Sequence, residues 1–105
     1  MLDISVHGVT SPALVDHTRQ RLTAALDQLA DHVVNVQVKL EDINGRSKGQ
    51  DKRCQVVVKL KHDEPVVVDE VDDDMYLAIS RAADRVKNVV GRKHEKKLDK
   101  LHGKA

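Results

Sequence analysis

Aromatic side chains are almost absent from this sequence. Its 105 residues include no Trp and no Phe, and Tyr76 is the only Tyr. The core must therefore be built from Val, Leu, Ile and Ala. Modules that read single-stranded RNA stack the bases on aromatic side chains, and this sequence has no such platform to offer. If the protein binds nucleic acid, we expect it to do so through charge and shape.

Long apolar runs and paired cysteines are also lacking. The apolar runs are only a few residues long, whereas a membrane-spanning helix needs about 20, so we predict no membrane contact. Residues 1–8 have neither the basic segment nor the apolar segment of a secretory signal. Cys54 is the only cysteine and cannot form an internal disulfide. This agrees with a reducing compartment, and we expect a cytoplasmic protein.

No pattern of catalytic or metal-binding residues stands out. None of the six histidines has a second histidine four residues away, and Cys54 has no companion that would complete a zinc site. The acidic triplet Asp72–Asp74 lacks the spaced oxygens of a calcium loop and suits the beginning of a helix better. We therefore predict a protein that is not an enzyme and has no metal, cofactor or small-molecule substrate.

The hydrophobic pattern predicts four strands and two helices. Apolar and polar residues alternate over residues 2–7, 34–41 and 54–61, and a fourth strand begins at Val66. Helical spacing of apolar residues follows Ser11-Pro12 over residues 12–31, and a second helix follows Asp72–Asp74. The polar segment 42–52 is predicted to be a loop or mobile hairpin. The order βαβββα predicts an α+β fold, a single two-layer domain over residues 1–105 with a four-stranded sheet and both helices on one face.

Positive charge is concentrated on the last helix. Residues 81–105 hold nine Lys/Arg against three Asp/Glu, a net charge of +6, so residues 1–80 carry −5 in a chain whose total is +1. The apolar stripe fades after Gly91, and we expect a basic extension over about 91–102 with a bend or fraying at this glycine. Spacings of four and seven place five of the cations on one face: Arg81, Arg85, Arg92, Lys96 and Lys100.

Such an arrangement of cations has two interpretations. It can match successive phosphates of a nucleic acid, with binding that weakens as salt rises. It can also be a solvated helix end, because the helix dipole favours cations near the C-terminus. Composition alone leaves both open.

The segment Asp74-Met75-Tyr76-Leu77-Ala78-Ile79 leads into this basic helix. With the short first strand, the Ser-Pro start of the first helix and the hairpin-linked strands, it makes the chain resemble the ribosome hibernation promoting factor family, which includes an inhibitor once described as a sigma-54 modulation protein. The resemblance implies a protein that binds the small ribosomal subunit and its ribosomal RNA. It also implies that the protein lies in the channel of messenger and transfer RNA and inhibits translation in stationary phase or stress.

The resemblance also implies which cations contact ribosomal RNA. Arg85 matches a cation of the last helix in the family, Arg92 and Lys96 match the basic end of that helix, and Arg21 matches a cation of the first helix. The predicted RNA-binding residues are Arg21, Arg81, Arg85, Lys87, Arg92, Lys93, Lys96, Lys97 and Lys100.

The chain departs from the family pattern at three places. Asn88 stands where the family often has a second cation, and Ala24 and Ala25 stand near a missing lysine of the first helix. The 42–52 segment is longer and more charged than in the family. Cations in this segment and directly after it could supply replacement contacts: Arg46, Lys48, Lys52 and Arg53.

The end of the chain favours one branch of the family. Long members add a C-terminal dimerisation domain and the inhibitor branch has an acidic tail, whereas this sequence ends at Ala105 with a basic segment. The resemblance therefore implies a short form that acts with a separate small ribosome modulation factor. Two other functions remain open from the residues: a general structured-RNA-binding domain, and a protein-interaction domain that modulates transcription.

Overall fold

The computed structural model describes residues 2–9, 11–43 and 51–101, with side chains up to residue 96. Seven elements follow one another along the chain: β1 (Ile4–Gly8), α1 (Pro12–Leu26), a 3₁₀ helix (Asp27–His32), β2 (Val33–Asp42), β3 (Lys52–Leu60), β4 (Val66–Asp72) and α2 (Met75–Leu101). The predicted order βαβββα is confirmed.

The four strands form one sheet in the order β1-β2-β3-β4. β1 is parallel to β2, and the other two pairs are antiparallel hairpins. Side chains alternate along β3, so that Val56 and Val58 are buried whereas Lys59 is exposed, and in β2 a register shift between Val33 and Asn35 interrupts this alternation. Both helices pack on the buried face, as α1 contacts β1 and α2 contacts β3 and β4. The predicted α+β fold with two layers is therefore confirmed.

The core between these layers is aliphatic. Its largest fully buried apolar side chains come from both α-helices and from β2, β3 and β4: Leu22, Leu26, Val36, Val38, Leu40, Val56, Val58, Val68, Ile79, Val86 and Val90. Cys54 is wholly buried among them, and this burial raises the pKa of its thiol to about 12. It behaves as a small apolar residue of the core.

The structure defines both ends of the predicted first helix. Ser11 Oγ accepts a hydrogen bond from Leu14 N at 3.2 Å, which caps α1. The α-helix ends at Leu26, and the 3₁₀ helix continues it to His32.

The loop prediction for 42–52 is wrong at its two ends, because the ladder between β2 and β3 extends to the pair Asp42–Lys52. Residues 44–50, with Arg46 and Lys48, lie outside the described part of the chain.

Gly8 ends β1 in a conformation that requires glycine. Its φ is +97°, and a Cβ placed on it would lie 2.1 Å from the carbonyl oxygen of Leu40. The next residue, Val9, donates its N–H to this same oxygen at 2.8 Å. The backbone at Gly8 therefore packs directly against the backbone of β2 where the chain leaves the sheet. Only glycine, which has no side chain, allows this contact.

The acidic triplet Asp72–Asp74 does not act as a unit. Asp74 caps α2, since its Oδ1 accepts a hydrogen bond from Tyr76 N at 2.9 Å. Asp72 is the last residue of β4 and is buried. Its Oδ1 accepts from Asp74 N at 3.0 Å, and this bond, with the adjacent Arg81, lowers the pKa of Asp72. The triplet thus supplies the cap of α2 through Asp74, as the sequence predicted, whereas Asp72 ends the strand and joins it to the helix.

The two outermost strands each accept a hydrogen bond from an arginine of a helix. Arg19 of α1 donates to the carbonyl oxygen of Ile4 in β1 at 2.8 Å. Arg85 of α2 donates to the carbonyl oxygen of Asp69 in β4 at 3.0 Å. Each helix is therefore fixed to the nearest edge of the sheet as well as to its face.

Candidate nucleic-acid interface

The basic surface of the protein is built on α2. The helix buries the residues Ala78, Ile79, Ala82, Val86 and Val90 against the sheet. It then continues through Gly91 to Leu101, and Val90 is the last buried residue among those whose side chains are described. The cations with described side chains lie on the faces that the sheet does not cover. They differ in what their side chains contact, and this divides the predicted RNA-binding residues into groups.

The first group is bound to β4. Arg81 Nη1 lies 2.9 Å from Asp72 Oδ2, and the side chain of Asp72 is only 7% exposed. Arg85 forms an ion pair with Glu70 in addition to its bond to the Asp69 carbonyl. A phosphate would have to compete with these acids for either guanidinium. The contacts fix α2 to the edge of the sheet, and this structural role was not visible in the sequence.

The second group consists of two cations in weaker pairs at the surface. Arg21 Nη2 of α1 lies 3.3 Å from Asp84 Oδ1 of α2, and Lys93 Nζ lies 3.5 Å from Asp63 Oδ1 in the β3–β4 turn. Asp84 is 71% exposed, and exposed pairs of this kind contribute about 1 kcal/mol or less. These two cations can therefore exchange partners more easily than the first group.

The third group, which we call the unpaired cations, consists of Lys87, Arg92 and Lys96. All three are exposed, and none forms an ion pair with another residue in the described ranges. Arg92 uses its Nε to donate to the backbone oxygen of Asn88 at 3.3 Å. Because they are exposed and have no acidic partner among the described residues, they are the cations with described side chains on α2 that are most available to phosphates. Lys97 and Lys100 belong to α2, but their side chains lie outside the described residues.

A groove of about 810 Å³ runs between the C-terminal half of α1 and the middle of α2. We call it the α1–α2 groove. On the α1 side, the groove is lined by Ala24 and Ala25 of α1 and by Asp27, Gln28 and Leu29 of the 3₁₀ helix that continues it. The α2 side consists of Lys87, Asn88, Gly91, Arg92, His94 and Glu95. Two of the unpaired cations, Lys87 and Arg92, thus line it, and so do three residues at which the sequence departs from the expected family pattern: Ala24, Ala25 and Asn88.

A model of one protein family matches nearly the whole chain. The family is described as Sigma 54 modulation protein / S30EA ribosomal protein, and the match extends over residues 3–98. The chain belongs to this family. The resemblance inferred from the sequence is therefore confirmed. A comparison with curated proteins gives no match.

Two solved structures share the fold of this family member. The crystal structure of the Thermus thermophilus Protein Y N-terminal domain is 29% identical over 88% of this chain and 98% of that chain, with a TM-score of 0.70. A ribosomal subunit interface protein from Coxiella burnetii is 22% identical over 90% of this chain and 99% of that chain, with a TM-score of 0.76. At the lower identity the likeness concerns the fold alone.

Two histidine contacts join residues that are far apart in the sequence, and the spacing of the histidines did not predict them. The rings of His32 and His94 lie 4.2 Å apart between centroids, where the 3₁₀ helix meets α2. His17 of α1 packs edge-on against Tyr76 at 4.9 Å and lies 3.3 Å from Ser80 Oγ. The partners are distant in the sequence, so no local spacing pattern could reveal them.

The described residues contain no group of three or more His, Cys, Asp or Glu that could hold a metal ion. Within the same ranges, no helix is long and apolar enough to cross a membrane. What the site does provide is a set of exposed cations on a rigid helix, next to a groove lined by amides and small side chains. This arrangement can bind phosphates and can admit a small polar group between the helices.

Proposed function

We propose that this protein binds the small ribosomal subunit in the cytoplasm, occupies its channel for messenger and transfer RNA, and keeps the ribosome in an inactive, hibernating state. Family membership supports a ribosomal partner. The observation that carries the proposal is the presence of the unpaired cations on the exposed faces of α2. They are held on a helix that the core fixes in place, so their spacing can match a fixed arrangement of phosphates.

Inhibition in this proposal results from exclusion. Contacts to phosphates position a protein without reading bases, and ribosomal RNA supplies phosphates in a constant geometry. The two-layer domain would then fill space that messenger and transfer RNA otherwise need. A separate small ribosome modulation factor is part of the same proposal, as a partner that turns inactivated ribosomes into dimers.

Co-sedimentation with purified small subunits tests the ribosomal partner. At about 0.1 M salt, where charges interact over about 10 Å, the protein should sediment with the subunits, and it should be released at about 0.5 M. Lys87→Glu should weaken binding because it reverses a charge on the proposed surface. Lys59→Glu is the matched control, since Lys59 is also exposed but lies on the opposite face of the sheet. Failure of the wild type to co-sediment at the lower salt would refute the proposal.

Competition tests the position on the subunit. Excess protein should prevent binding of messenger RNA and of transfer RNA to small subunits, and should stop synthesis in a purified translation system. Simultaneous binding of all three would contradict occupation of the channel. A plain RNA duplex that competes as well as subunits do would instead indicate a general binder of structured RNA. Association that survives nuclease treatment would favour a protein partner.

A further inference from the structure

Gly91 lies inside α2 at a position where the protein itself does not need glycine. Glycine is the least favourable helix residue after proline, and α2 continues for ten residues beyond it. A Cβ placed on Gly91 would have no described atom within 4 Å. Its φ is also not in the left-handed region, in contrast to that of Gly8. Neither packing nor backbone conformation therefore explains this residue.

Glycine in such a place allows another molecule to approach the backbone closely. Gly91 forms part of the α1–α2 groove, and Ala24 of α1 is another small residue of its lining. Small side chains on both helices leave the groove open. The volume of about 810 Å³ lies within the range of about 300–1,000 Å³ that is typical of small-ligand sites.

The polar groups of the groove indicate what fits there. Gln28 on one side and Asn88 on the other each offer an amide, which has both donors and acceptors. Such amides pair with the edges of nucleobases. Lys87 and Arg92 line the same groove and can hold the phosphates on either side of a base. Carboxylates are also present, at Asp27 and Glu95, and they accept hydrogen bonds from exocyclic amino groups.

We propose that the α1–α2 groove receives one unpaired nucleotide of ribosomal RNA, with a base that carries an exocyclic amino group. The inference rests on the proposed function, because it requires a ribosomal partner. It adds a contact to a base where the unpaired cations alone would contact only phosphates. A protein segment fits the groove less well, since charged and amide side chains make up most of its α2 side. Recognition by base edges also needs no aromatic platform.

Filling the groove tests this inference without removing a charge. Gly91→Leu and Ala24→Leu each place a side chain into the space from a different helix. We expect each to reduce affinity for small subunits about tenfold or more, since loss of one bidentate base contact has an effect of this order. Gly91→Ala adds only a methyl group to the groove, so it should weaken binding less than Gly91→Leu does. Gln20→Leu is the matched control, because it adds the same bulk on an exposed part of α1 outside the groove, and it should bind as the wild type does.

Dimethyl sulfate probing of ribosomal RNA identifies the occupant. With saturating wild-type protein, one unpaired base of the small subunit should become protected, from dimethyl sulfate if it is adenine or cytosine and from kethoxal in a parallel reaction if it is guanine. Gln20→Leu should protect it equally. With saturating Gly91→Leu the complex should still form while this base stays reactive. Equal affinity of Gly91→Leu and wild type, or the absence of any base protection that depends on residue 91, would overturn the groove proposal while ribosome binding stands. Absence of ribosome binding by the wild type would overturn both. Urea unfolding should show that Gly91→Leu is folded. If it is not, affinity for small subunits and protection of the base are measured with Ala24→Leu instead.

Discussion

The unpaired cations should account for most of the salt dependence of ribosome binding. Each phosphate contact changes the slope of log K against log salt by about 0.7 to 0.9. Replacing Lys87, Arg92 and Lys96 with Gln removes three such contacts, so the slope should become less steep by about 2 to 3. Between about 50 and 200 mM salt, wild-type affinity should therefore fall about 20- to 40-fold more than that of the triple variant.

The paired arginines should behave differently. Arg81 and Arg85 are already neutralised by Asp72 and Glu70, and to bind a phosphate they would have to give up these partners. A double Gln variant should change the salt slope by less than 1. It should instead lower the free energy of unfolding, because the buried carboxylate of Asp72 loses its charged partner.

The assay is a titration of small subunits with labelled protein at four salt concentrations, with urea unfolding of each variant measured alongside. Lys59→Gln serves as the control for a general loss of charge, and it should leave both the slope and the stability nearly unchanged. An equal reduction of the salt slope by the Arg81/Arg85 double variant and by the triple variant would refute this prediction. That result would mean that the ion pairs to β4 open when RNA binds.

Three further predictions concern stability and reactivity. Gly8→Ala should lower the free energy of unfolding by about 1–3 kcal/mol, measured in urea, because alanine is strained at a positive φ and its Cβ meets the Leu40 carbonyl. Cys54 should not react with iodoacetamide at about pH 8 in the native protein and should react in urea, because burial raises the pKa of its thiol to about 12. The hydrogen bond from Arg53 lowers the pKa of Asp69 in the folded protein. Ionised Asp69 therefore stabilises the fold at a pH above its unfolded-state pKa of about 3.9, and this stabilisation is lost as the pH falls through its folded-state pKa. Wild type should therefore lose more stability than Asp69→Asn when urea unfolding is repeated from pH 5 down to about pH 2.5.

Each of these has a clear opposite result. Unchanged stability of Gly8→Ala would mean that β1 can shift away from β2 at no cost. Fast labelling of native Cys54 would mean that the core opens locally. Parallel loss of stability by wild type and Asp69→Asn in acid would assign the acid sensitivity to other carboxyl groups.

The strand pattern predicted most of the fold, and the errors have local causes. Period-two alternation is strong where valines face the core, so the antiparallel hairpins could be predicted from it. Asp42 and Lys52 have loop-like polarity, yet they end the two strands because they face each other across the hairpin and form an ion pair at 2.9 Å. The acidic triplet looks uniform in the sequence, whereas in the structure Asp74 caps α2 and Asp72 ends β4 and pairs with Arg81.

The candidate site was predictable as a set of cations but not as a surface. The sequence shows every lysine and arginine of α2, whereas the acids that neutralise Arg81 and Arg85 lie on β4 and become their neighbours only in the folded sheet. Ala24 and Asn88 looked like unrelated losses of charge along the chain. In the structure they line one groove, because α1 and α2 lie side by side.

The hydrogen bonds from Arg19 and Arg85 to the outermost strands have a consequence for behaviour at high concentration. An exposed strand edge is a template for pairing with another chain, and many proteins protect it with charged side chains. Here one carbonyl on each edge is already occupied by a guanidinium, and a neighbouring molecule would have to displace a buried or charged contact to add a strand. We therefore expect these two bonds to oppose edge-to-edge pairing on both sides of the sheet when the protein is concentrated.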